Sequence, residues 1–320
     1  MLNGKKILVV GGAGFIGSRV VEELIKEPVK DIIIFDNFCR GTKDNLVEVL
    51  KDPRVKIFEA GGDILQTDIL NAAMDGIDYV FHLAALWLLQ CYEYPRAAFE
   101  VNIKGTFNVL EACAKNNIKK LVYSSSASVY GNAVEMPMSE EHPFNNRTFY
   151  GATKVAGEQM CRAFNERYGL NYVGLRYMNV YGPRQDYKGA YVAVIMKILD
   201  RISQGLAPVI YGDGSQVYDF VYVGDIAKAN ICALKAEVTD KYYNIGMGKP
   251  TTINELTQLI LELTNSKLKP VYEPQGQTFV TQRVGSTRKA EKELGFKATV
   301  ELREGLKRLI EWRKANLGQK

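Results

Sequence analysis

The feature that most constrains this chain is a glycine-rich run between a short apolar segment and an amphipathic one. Ile7–Val10 is predicted to form a β-strand, and four glycines follow within seven residues. The run has the spacing G-x-x-G-x-x-G and consists of Gly11, Gly12, Ala13, Gly14, Phe15, Ile16 and Gly17. Glycine lets a ligand approach the backbone closely, and the N–H groups at a helix N terminus attract a pyrophosphate. The run predicts a dinucleotide-binding loop; a tight glycine turn that binds nothing is the alternative.

Short β-branched runs alternate with longer amphipathic segments through the first half of the chain. This alternation is typical of βαβ units on a parallel sheet. Further strands are expected at Ile32–Phe35, Val55–Phe58, Tyr79–Leu83, Leu121–Ser124 and Tyr172–Arg176, and helices at Phe15–Lys26, about 92–116 and about 149–168. The pattern predicts an α/β fold with a doubly wound parallel sheet of the Rossmann type.

The alternation breaks after Arg176, where a Gly-Pro turn leads to a helix expected near 189–204. Tyr211–Gly214 then has the composition of a tight turn. Phe220–Val223 and a helix from about Asp225 to Lys235 again have the pattern of a strand and a helix, which predicts a return to the main sheet. We therefore expect a Rossmann domain formed by residues 1–176 and about 217–243, with a smaller, discontinuous α/β substrate domain formed by 177–216 and 244–320.

Composition excludes several classes of function. The 41 basic and 36 acidic residues are interspersed and leave a formal charge of +5, so neither nucleic acid nor a membrane surface is an expected partner. No stretch approaches the roughly twenty apolar residues of a membrane span. Five widely spaced cysteines without a C-x-x-C pair indicate reduced thiols in a cytoplasmic protein. The only histidines, His82 and His142, have no ligand pattern around them, so no metal site is expected.

The residues after the second and third strands bear on the cofactor. Asp36 can accept hydrogen bonds from adenosine ribose hydroxyls and would repel a 2′-phosphate, which favours NAD over NADP. Asn37 adjoins it, and Arg40 is the nearby residue that could instead accommodate a 2′-phosphate. Asp63 and Ile64 could meet the adenine, although a loop aspartate that caps a helix is nearly as good an interpretation of Asp63.

Tyr150 and Lys154 lie four residues apart on a predicted helix, so both side chains emerge on one face. The serine cluster Ser124-Ser125-Ser126 ends a predicted strand, at the edge of the sheet where ligands bind. A tyrosine that removes a proton near neutral pH must have its pKa lowered from about 10, which a neighbouring ammonium favours. A serine hydroxyl can share the same proton. The three residue types together fit oxidation of a hydroxyl group.

These motifs together resemble the extended short-chain dehydrogenase/reductases, and in particular the nucleotide-sugar epimerases related to UDP-glucose and UDP-galactose 4-epimerase. The resemblance covers nearly the whole chain. It rests on GGAGFIG, the FDN segment, GDI, FHLAA, VNIKGT, SSSASVYG, YGATK, RYMNVYGPR, YGDGSQ and DFVYVGD, in that order.

The resemblance assigns a role to each matching residue. It implies a catalytic set of Ser126, Tyr150 and Lys154. It places the cofactor against Leu83, Ala84, Ala85, Asn102, Ser124 and Tyr177, besides the glycine loop and the residues that follow the second and third strands. It places the substrate against Ser126, Asn179, Val209 and Tyr211, and we expect Tyr218 and Arg283 to contact it as well.

One departure from the family pattern narrows the expected chemistry. Dehydratases of this family usually carry an acidic pair inside the motif that matches SSSASVYG, and the decarboxylases retain a glutamate there. This chain has Ala127 and Ser128 at those positions. Because the proton carrier is missing, simple epimerisation is favoured over dehydration or decarboxylation.

A second departure concerns substrate binding. The family often places an arginine where this chain has Tyr218, to hold the substrate phosphate, so Arg184 or Arg283 is expected to take that part. The segment Leu86–Cys91 is bulky and apolar where relatives often have small or polar residues. It either shapes the sugar pocket or packs in the core.

The sequence thus predicts an NAD-dependent nucleotide-sugar 4-epimerase that acts through a transient 4-keto sugar, on UDP-glucose and UDP-galactose or their N-acetyl analogues. Three alternatives remain: a reductase or dehydrogenase that releases reduced cofactor, a dehydratase, and a protein that binds NAD as a sensor without turnover. The resemblance also implies a homodimer that packs through the helices near 92–116 and 149–168.

Overall fold

The computed structural model of the protein describes residues 2–185, 194–274 and 280–317. The strands are β1 (Lys6–Val10), β2 (Asp31–Phe35), β3 (Val55–Ile57), β4 (Tyr79–His82), β5 (Lys120–Ser126), β6 (Tyr172–Tyr177), β7 (Asn179–Tyr181), β8 (Val209–Tyr211), β9 (Val217–Tyr218), β10 (Phe220–Tyr222), β11 (Lys241–Ile245), β12 (Thr251–Thr252), β13 (Val271–Glu273) and β14 (Gln282–Arg283). The helices are α1 (Gly17–Leu24), α2 (Thr67–Ala73), α3 (Leu88–Glu93), α4 (Pro95–Ala98), α5 (Thr106–Lys115), α6 (Phe149–Tyr168), α7 (Val194–Ser203), α8 (Val223–Lys235), α9 (Ile253–Leu263), α10 (Arg288–Leu294) and α11 (Leu302–Leu317).

Parallel strands form the central sheet in the order β11-β6-β5-β4-β1-β2-β3. Strands β4 and β6 are buried along their whole length because helices cover both faces. One apolar core lies on the side of α1 and α8, and a second lies on the side of α2, α5 and α6. The strand order reverses between β1 and β4, where a crevice for a ligand is expected. The predicted fold class is confirmed.

The helix predicted near 92–116 is wrong as a single element. The chain instead forms α3, α4, a π-helical stretch at Phe99–Gly105, and α5. Pro95 starts α4 because proline has no N–H to donate and fits best in the first turn of a helix. The other boundaries move by a few residues: α1 is shorter than Phe15–Lys26, whereas α6 matches its expected bounds.

The strand predicted at Phe220–Val223 does not return to the main sheet, which is a second correction. As β10 it pairs in parallel with β7, in a separate two-stranded sheet. Strand β7 follows β6 almost directly and leaves the line of the main sheet, so its edge is open to β10. The chain rejoins the main sheet one helix later, when β11 pairs with β6.

The remaining elements pack around an apolar core of their own. Strands β12, β9 and β14 form a three-stranded sheet, and β8 pairs with β13. Buried residues of α7, α9 and α11, among them Ile195, Leu256 and Leu309, fill the space between these elements. Of the helix predicted near 189–204, the part before Val194 lies outside the described residues.

The cysteines and the helices can be compared with the predictions of reduced thiols and of no membrane span. All five cysteines are free, and Cys91, Cys113 and Cys161 are buried. Across the described ranges, no helix combines the length and the apolarity needed to cross a membrane.

Candidate active site

The glycine loop joins β1 to α1 beside the point where the strand order reverses. Gly11 has a φ of 83°, and a Cβ there would lie 2.7 Å from the backbone nitrogen of Ala84. A Cβ at Gly17 would overlap the carbonyl oxygen of Gly11, and one at Gly14 would lie 3.3 Å from it. The amides of Ile16 and Gly17, which follow Phe15, open helix α1, where a helix offers N–H groups to an anion. The loop therefore has the tight cradle that a pyrophosphate requires.

Asp36 lies against this loop from the end of β2. Its carboxylate accepts hydrogen bonds of 2.8 Å from the backbone N–H groups of Ala13 and Phe38. Burial raises the pKa of Asp36, and the two amide bonds oppose that shift. The carboxylate is thus held beside the cradle, where it can accept from ribose hydroxyls. Asn37 is exposed, and its Oδ1 accepts from the N–H of Cys39 at 3.1 Å.

The residues expected near the adenine have structural contacts of their own. Asp63 Oδ1 accepts a hydrogen bond from the N–H of Leu65 at 2.9 Å, in the turn that leads into α2. The Ile64 side chain is buried, and its carbonyl accepts from Asn108 Nδ2 at 2.9 Å. Asp63 forms this turn without capping α2, because the N-cap residue of α2 is Gln66 and no side chain is hydrogen-bonded there, so the capping interpretation is wrong. The adenine contact stays a prediction.

The loop after β4 forms the other wall of the crevice. The N–H groups of Leu83 and Ala84 both donate to the carbonyl of Val10, at 2.8 and 3.1 Å, and Ala85 follows half-buried. Asn102, which is 2% exposed, holds this loop: its Oδ1 accepts from Leu86 N at 2.7 Å, and its Nδ2 donates to Leu86 O at 2.8 Å. The side-chain amide of Asn102 thus positions the cofactor wall through the protein backbone.

The three residues of the predicted redox centre come together at the carboxyl end of β5. Ser126 is the last residue of β5; its Oγ accepts a hydrogen bond from Ser128 N at 3.1 Å, and its hydroxyl lowers the pKa of the Tyr150 phenol. Lys154, one turn further along α6, donates from Nζ to the Ser124 carbonyl at 2.8 Å and lies 5.8 Å from the Tyr150 ring centroid. The structure therefore brings Ser126, Tyr150 and Lys154 into one site.

Helix α6 can approach β5 this closely because its packing face carries small residues. A Cβ at Gly151 would lie 2.5 Å from the carbonyl oxygen of Ser128, and one at Gly157 would overlap the hydroxyl of Tyr123. Thr148 caps the helix, since its Oγ1 accepts from Gly151 N at 3.0 Å. The cap fixes the start of α6 at Phe149, one residue before Tyr150.

Burial opposes ionisation at both ends of the redox pair. It raises the pKa of Tyr150 to about 12, a shift that the Ser126 hydrogen bond and the charge of Arg283 counter. It also lowers the pKa of Lys154 to about 8. The positive charge of a bound nicotinamide ring is the kind of contribution that would bring the tyrosine pKa back towards neutrality. His82, behind the site, has its pKa lowered to about 3 by burial and stays neutral.

Ser124 and Tyr177 lie behind Lys154 as a buried hydrogen-bonded pair. The two hydroxyl oxygens are 3.0 Å apart, and the Tyr177 hydroxyl donates to Asn230 Oδ1 at 3.0 Å. Asn230 in turn donates to the carbonyl of Ile226 in α8. The pair thereby ties the ends of β5 and β6 to α8.

Arg283 and Tyr218 face the redox centre from the three-stranded sheet β12-β9-β14. They are paired in register between β14 and β9, and the charge of Arg283 acts on both Tyr218 and Tyr150. Burial lowers the pKa of Arg283 to about 10. The Tyr218 hydroxyl donates to the carbonyl of Val280 at 2.6 Å. Asn179 joins them through Asp219, whose carbonyl accepts from Asn179 Nδ2 at 3.1 Å.

Comparison with known proteins agrees with this geometry. The sequence profile of the NAD dependent epimerase/dehydratase family matches residues 7–246. A protein of Methanocaldococcus jannaschii named as a putative UDP-glucose 4-epimerase is 39% identical, over 97% of this chain and 99% of its own length. The chain belongs to the NAD dependent epimerase/dehydratase family.

Solved structures of the family superpose on nearly the whole chain. The UDP-N-acetylglucosamine 4-epimerase of Methanobrevibacter ruminantium, in complex with UDP-N-acetylmuramic acid, has a TM-score of 0.92 and 35% identity, covering 99% of this chain and 100% of its own. The UDP-glucose 4-epimerase of Thermotoga maritima with UDP-glucose has a TM-score of 0.90 and 35% identity, covering 98% and 99%. The predictions of an NAD-dependent epimerase of this family and of NAD as its cofactor are confirmed.

Within this family fold, the structure separates the two arginines expected to hold a diphosphate. Arg184 forms an ion pair of 2.6 Å with Glu22 and donates to the Ser18 hydroxyl at 3.1 Å, so it is bound to α1. Arg283 is the one that lies near Tyr150. Its Nε is buried, and within the described part of the chain no hydrogen-bond acceptor reaches it. The geometry favours Arg283 for this role.

Val209 and Tyr211, expected beside the nucleoside, lie on β8, which forms a two-stranded sheet with β13. Val209 is half-buried, whereas the Tyr211 side chain is 54% exposed. Their strand is held by β13, in which Val271 pairs with Val209 and Glu273 with Tyr211. Their contact with a nucleoside stays a prediction.

Sequence reasoning missed the buried ion pair that supports α6. Glu158, four residues after Lys154, accepts from Arg176 through both carboxylate oxygens, at 2.9 and 2.7 Å. Ser125 also donates to it at 2.6 Å. The side chains of Arg176 and Glu158 are 5% and 0% exposed. The signal in the sequence was the spacing of Tyr150, Lys154 and Glu158 along one helix face.

Arg176 extends this network towards β11. Its Nη1 donates to the hydroxyl of Tyr130 and to the carbonyl of Glu140, and Tyr130 donates to Asn244 Oδ1 at 2.7 Å. The hydroxyl of Tyr242 donates to the backbone of Glu158 at 2.6 Å. Helix α6 is therefore fixed to β6 and β11 at the turn directly behind the redox pair.

Proposed function

We propose that this protein is a UDP-sugar 4-epimerase, which inverts the configuration at C4 through a transient 4-keto sugar. The observation that carries the proposal is the arrangement of Ser126, Tyr150 and Lys154 at one site, with Ala127 and Ser128 at the two positions after Ser126. Ala127 and Ser128, where an acid would serve dehydration, are buried at 1% and 5% exposure and carry no ionisable group.

Proton transfer in this scheme belongs to Tyr150. As tyrosinate it removes the proton from the C4 hydroxyl, and the Ser126 hydroxyl, which lowers the pKa of Tyr150, shares that proton. The ammonium of Lys154 favours the ionised phenol by its charge and is held in place by the Ser124 carbonyl. When the keto sugar is reduced on its opposite face, Tyr150 returns the proton to the oxygen.

The residues at the crevice between β1 and β4 would hold the cofactor. The amides of the glycine loop would bind the pyrophosphate, and Asp36 would bind the adenosine ribose. Leu83 to Ala85 and Tyr177 would line the nicotinamide end, with Asn102 holding the loop that carries the first three. When bound, NAD supplies a hydride acceptor that is regenerated within each turnover.

The substrate would be held from the second lobe while its sugar turns. Arg283 suits the diphosphate because its guanidinium lies near Tyr150 with an unpartnered Nε among the described residues. Asn179 would bind near the same group, and Val209 and Tyr211 beside the nucleoside. We assign residues 177–216 and 244–320 to this lobe, and residues 1–176 with about 217–243 to the NAD-binding domain.

We further propose a homodimer in the cytoplasm. Aromatic side chains project from the outer face of α3 to α6: Tyr92 is 57% exposed, Phe107 43% and Tyr168 61%. Such a face is suited to packing against a second copy. Three of the five free thiols are buried, which agrees with a reducing compartment.

The reaction can be tested with purified protein. UDP-glucose, UDP-galactose, their N-acetyl analogues and UDP-glucuronic acid are each incubated with the enzyme, and inversion at C4 is followed by proton NMR. We expect interconversion of at least one C4-epimeric pair without added NAD. Formation of a 4-keto-6-deoxy sugar would show a dehydratase, and no conversion of any substrate would contradict the proposal.

The reductase alternative requires cofactor to leave in each turnover. Absorbance at 340 nm, the band of reduced nicotinamide, separates the two. An epimerase shows no net change while product accumulates, whereas a dehydrogenase forms one reduced cofactor for each sugar oxidised.

A further inference from the structure

The loops that follow β2 and β4 touch each other at their tips. Arg40 follows the end of β2, and its Cζ lies 5.1 Å from the ring centroid of Trp87, which follows the end of β4. Arg40 Nη1 also donates to Gln90 Oε1 at 3.5 Å. Because β1 lies between β2 and β4 in the sheet, this contact spans the glycine loop that continues from β1.

Both loops are anchored at their bases, one to the glycine loop and the other to the end of the strand that precedes it. On one side, Thr42 N and Asn45 Nδ2 donate to the Ala13 carbonyl at 3.3 and 2.9 Å. On the other, the N–H groups of Leu83 and Ala84 donate to Val10. Arg40 and Trp87 lie further from the sheet than these anchoring hydrogen bonds. The two loops therefore form an arch over the glycine loop, and the arch is closed by the contact between Arg40 and Trp87.

The backbone of the β4 loop does not depend on Trp87 for its shape. Asn102 holds Leu86 through both its N–H and its carbonyl, and it also donates to Cys91 Sγ at 3.4 Å. These contacts fix the loop on either side of Trp87. The loop therefore keeps its shape without the indole of Trp87. Of the two roles expected for this segment, core packing or a place at the site, Trp87 fits the second.

The chemistry of the pair suits a closure that opens and shuts. Arg40 is exposed and Trp87 half-buried, and a cation–π contact of this kind is weak. The indole Nε1 is covered, and across the described ranges no acceptor reaches it. A dinucleotide carries acceptor oxygens on its phosphates and its amide, so it can supply the partner that the closed arch lacks.

We propose that Arg40 and Trp87 form a clasp across the cofactor crevice, which closes over NAD and retains it between turnovers. The clasp rests on the proposed function, because only an enzyme that regenerates its cofactor gains from keeping it. The aromatic half of the clasp comes from the segment Leu86–Cys91, whose bulk distinguishes this chain from the family pattern.

Cofactor retention can be measured without turnover. Wild-type protein and the variants Trp87→Ala, Trp87→Phe and Arg40→Met are purified, and bound NAD is released and quantified per protomer. The exchange of bound NAD for isotopically labelled NAD is then followed by mass spectrometry. We expect exchange to accelerate about tenfold in Trp87→Ala and less in Arg40→Met, with Trp87→Phe in between because it keeps a ring but loses the N–H.

The chain supplies a matched control, since Trp87 and Trp312 are its only tryptophans. Trp312 lies on α11 in the second lobe, so Trp312→Phe is expected to exchange NAD like the wild type. In that background Trp87 is the only tryptophan, and its fluorescence should transfer energy to the cofactor once it is reduced with borohydride. The double variant Arg40→Met/Trp87→Ala should exchange no faster than Trp87→Ala alone if the two residues act as one unit.

Equal NAD content and equal exchange rates in wild type and Trp87→Ala would overturn the clasp, as would wild-type protein that binds no NAD. If Trp87→Ala misfolds by circular dichroism, the surface variant Arg40→Met carries the test. Failure of the proposed function looks different: the variants would still lose NAD faster, but the wild type would epimerise no sugar in the NMR panel.

Discussion

The two sides of the site differ in how their side chains are held. The residues of the proposed redox centre lie next to buried polar networks, whereas the residues expected to bind substrate lie on short strands. Lys154 is 5% exposed and is followed on α6 by the Glu158–Arg176 pair. Arg283, in contrast, lies on a strand of two residues, and Tyr211 is 54% exposed. Proton transfer needs groups that are positioned before substrate arrives. A sugar that must turn needs a pocket that holds it mainly by its nucleotide.

The strongest way to break this comparison is to remove the base. Tyr150→Phe keeps the ring and the packing of α6 but loses the ionisable hydroxyl, so we expect epimerisation to fall by about 10²- to 10⁴-fold. Bound NAD and the thermal midpoint should stay near wild-type values. Steady-state rates and NAD content on the same preparation give both readouts, and a rate within threefold of wild type would remove Tyr150 from the mechanism.

The support behind the redox centre predicts a large effect on stability. Glu158→Gln leaves the Arg176 guanidinium buried without its carboxylate, which should lower the free energy of unfolding by about 3–5 kcal/mol. Glu166→Gln, on an exposed position of the same helix, is the matched control and should change it by less than about 0.5 kcal/mol. Urea titration followed by circular dichroism measures both variants. Equal midpoints for Glu158→Gln and Glu166→Gln would show that the buried ion pair does not stabilise the fold.

The substrate side should respond in binding. Arg283→Met removes the cation assigned to the diphosphate, and we expect kcat/KM to fall by about 10- to 100-fold, mostly through KM. Arg184→Met, whose partner is Glu22, should leave KM unchanged. If KM rose more in Arg184→Met than in Arg283→Met, the diphosphate would instead bind near α1.

The pH profile gives the finest comparison. Because the base must be ionised, kcat/KM should fall about tenfold per pH unit below the pKa of Tyr150 in the holoenzyme and level off above it. The Ser126 hydrogen bond lowers that pKa, so Ser126→Ala should move the acid limb to higher pH. Arg283 acts in the same direction through its charge, and Arg283→Met should shift the limb the same way. Profiles that superpose for all three proteins would place the titrating group elsewhere.

Local patterns were sufficient for those parts of the site that lie within one element or one turn. The glycine loop and the Tyr150–Lys154 pair could be predicted because their geometry follows from short spacings along a loop and a helix. The single helix expected near 92–116 failed at Pro95, where a short-range signal was present but outweighed by the amphipathic pattern. The placement of β10 failed because the partner of a strand is chosen by distant parts of the chain.

The sequence by itself determined the fold class, the cofactor and the grouping of Ser126, Tyr150 and Lys154, since each depends on backbone geometry or helix periodicity that neighbouring residues dictate. Only the tertiary structure placed Arg184 against α1 and Arg283 near Tyr150, and only it brought Glu158 to Arg176 and Arg40 to Trp87. Such contacts join residues from different strands and loops, and no local spacing encodes them. Arg184 and Arg283 have the same side chain, but Arg184 binds helix α1 and Arg283 faces the active site, because the packing around each one sets its direction.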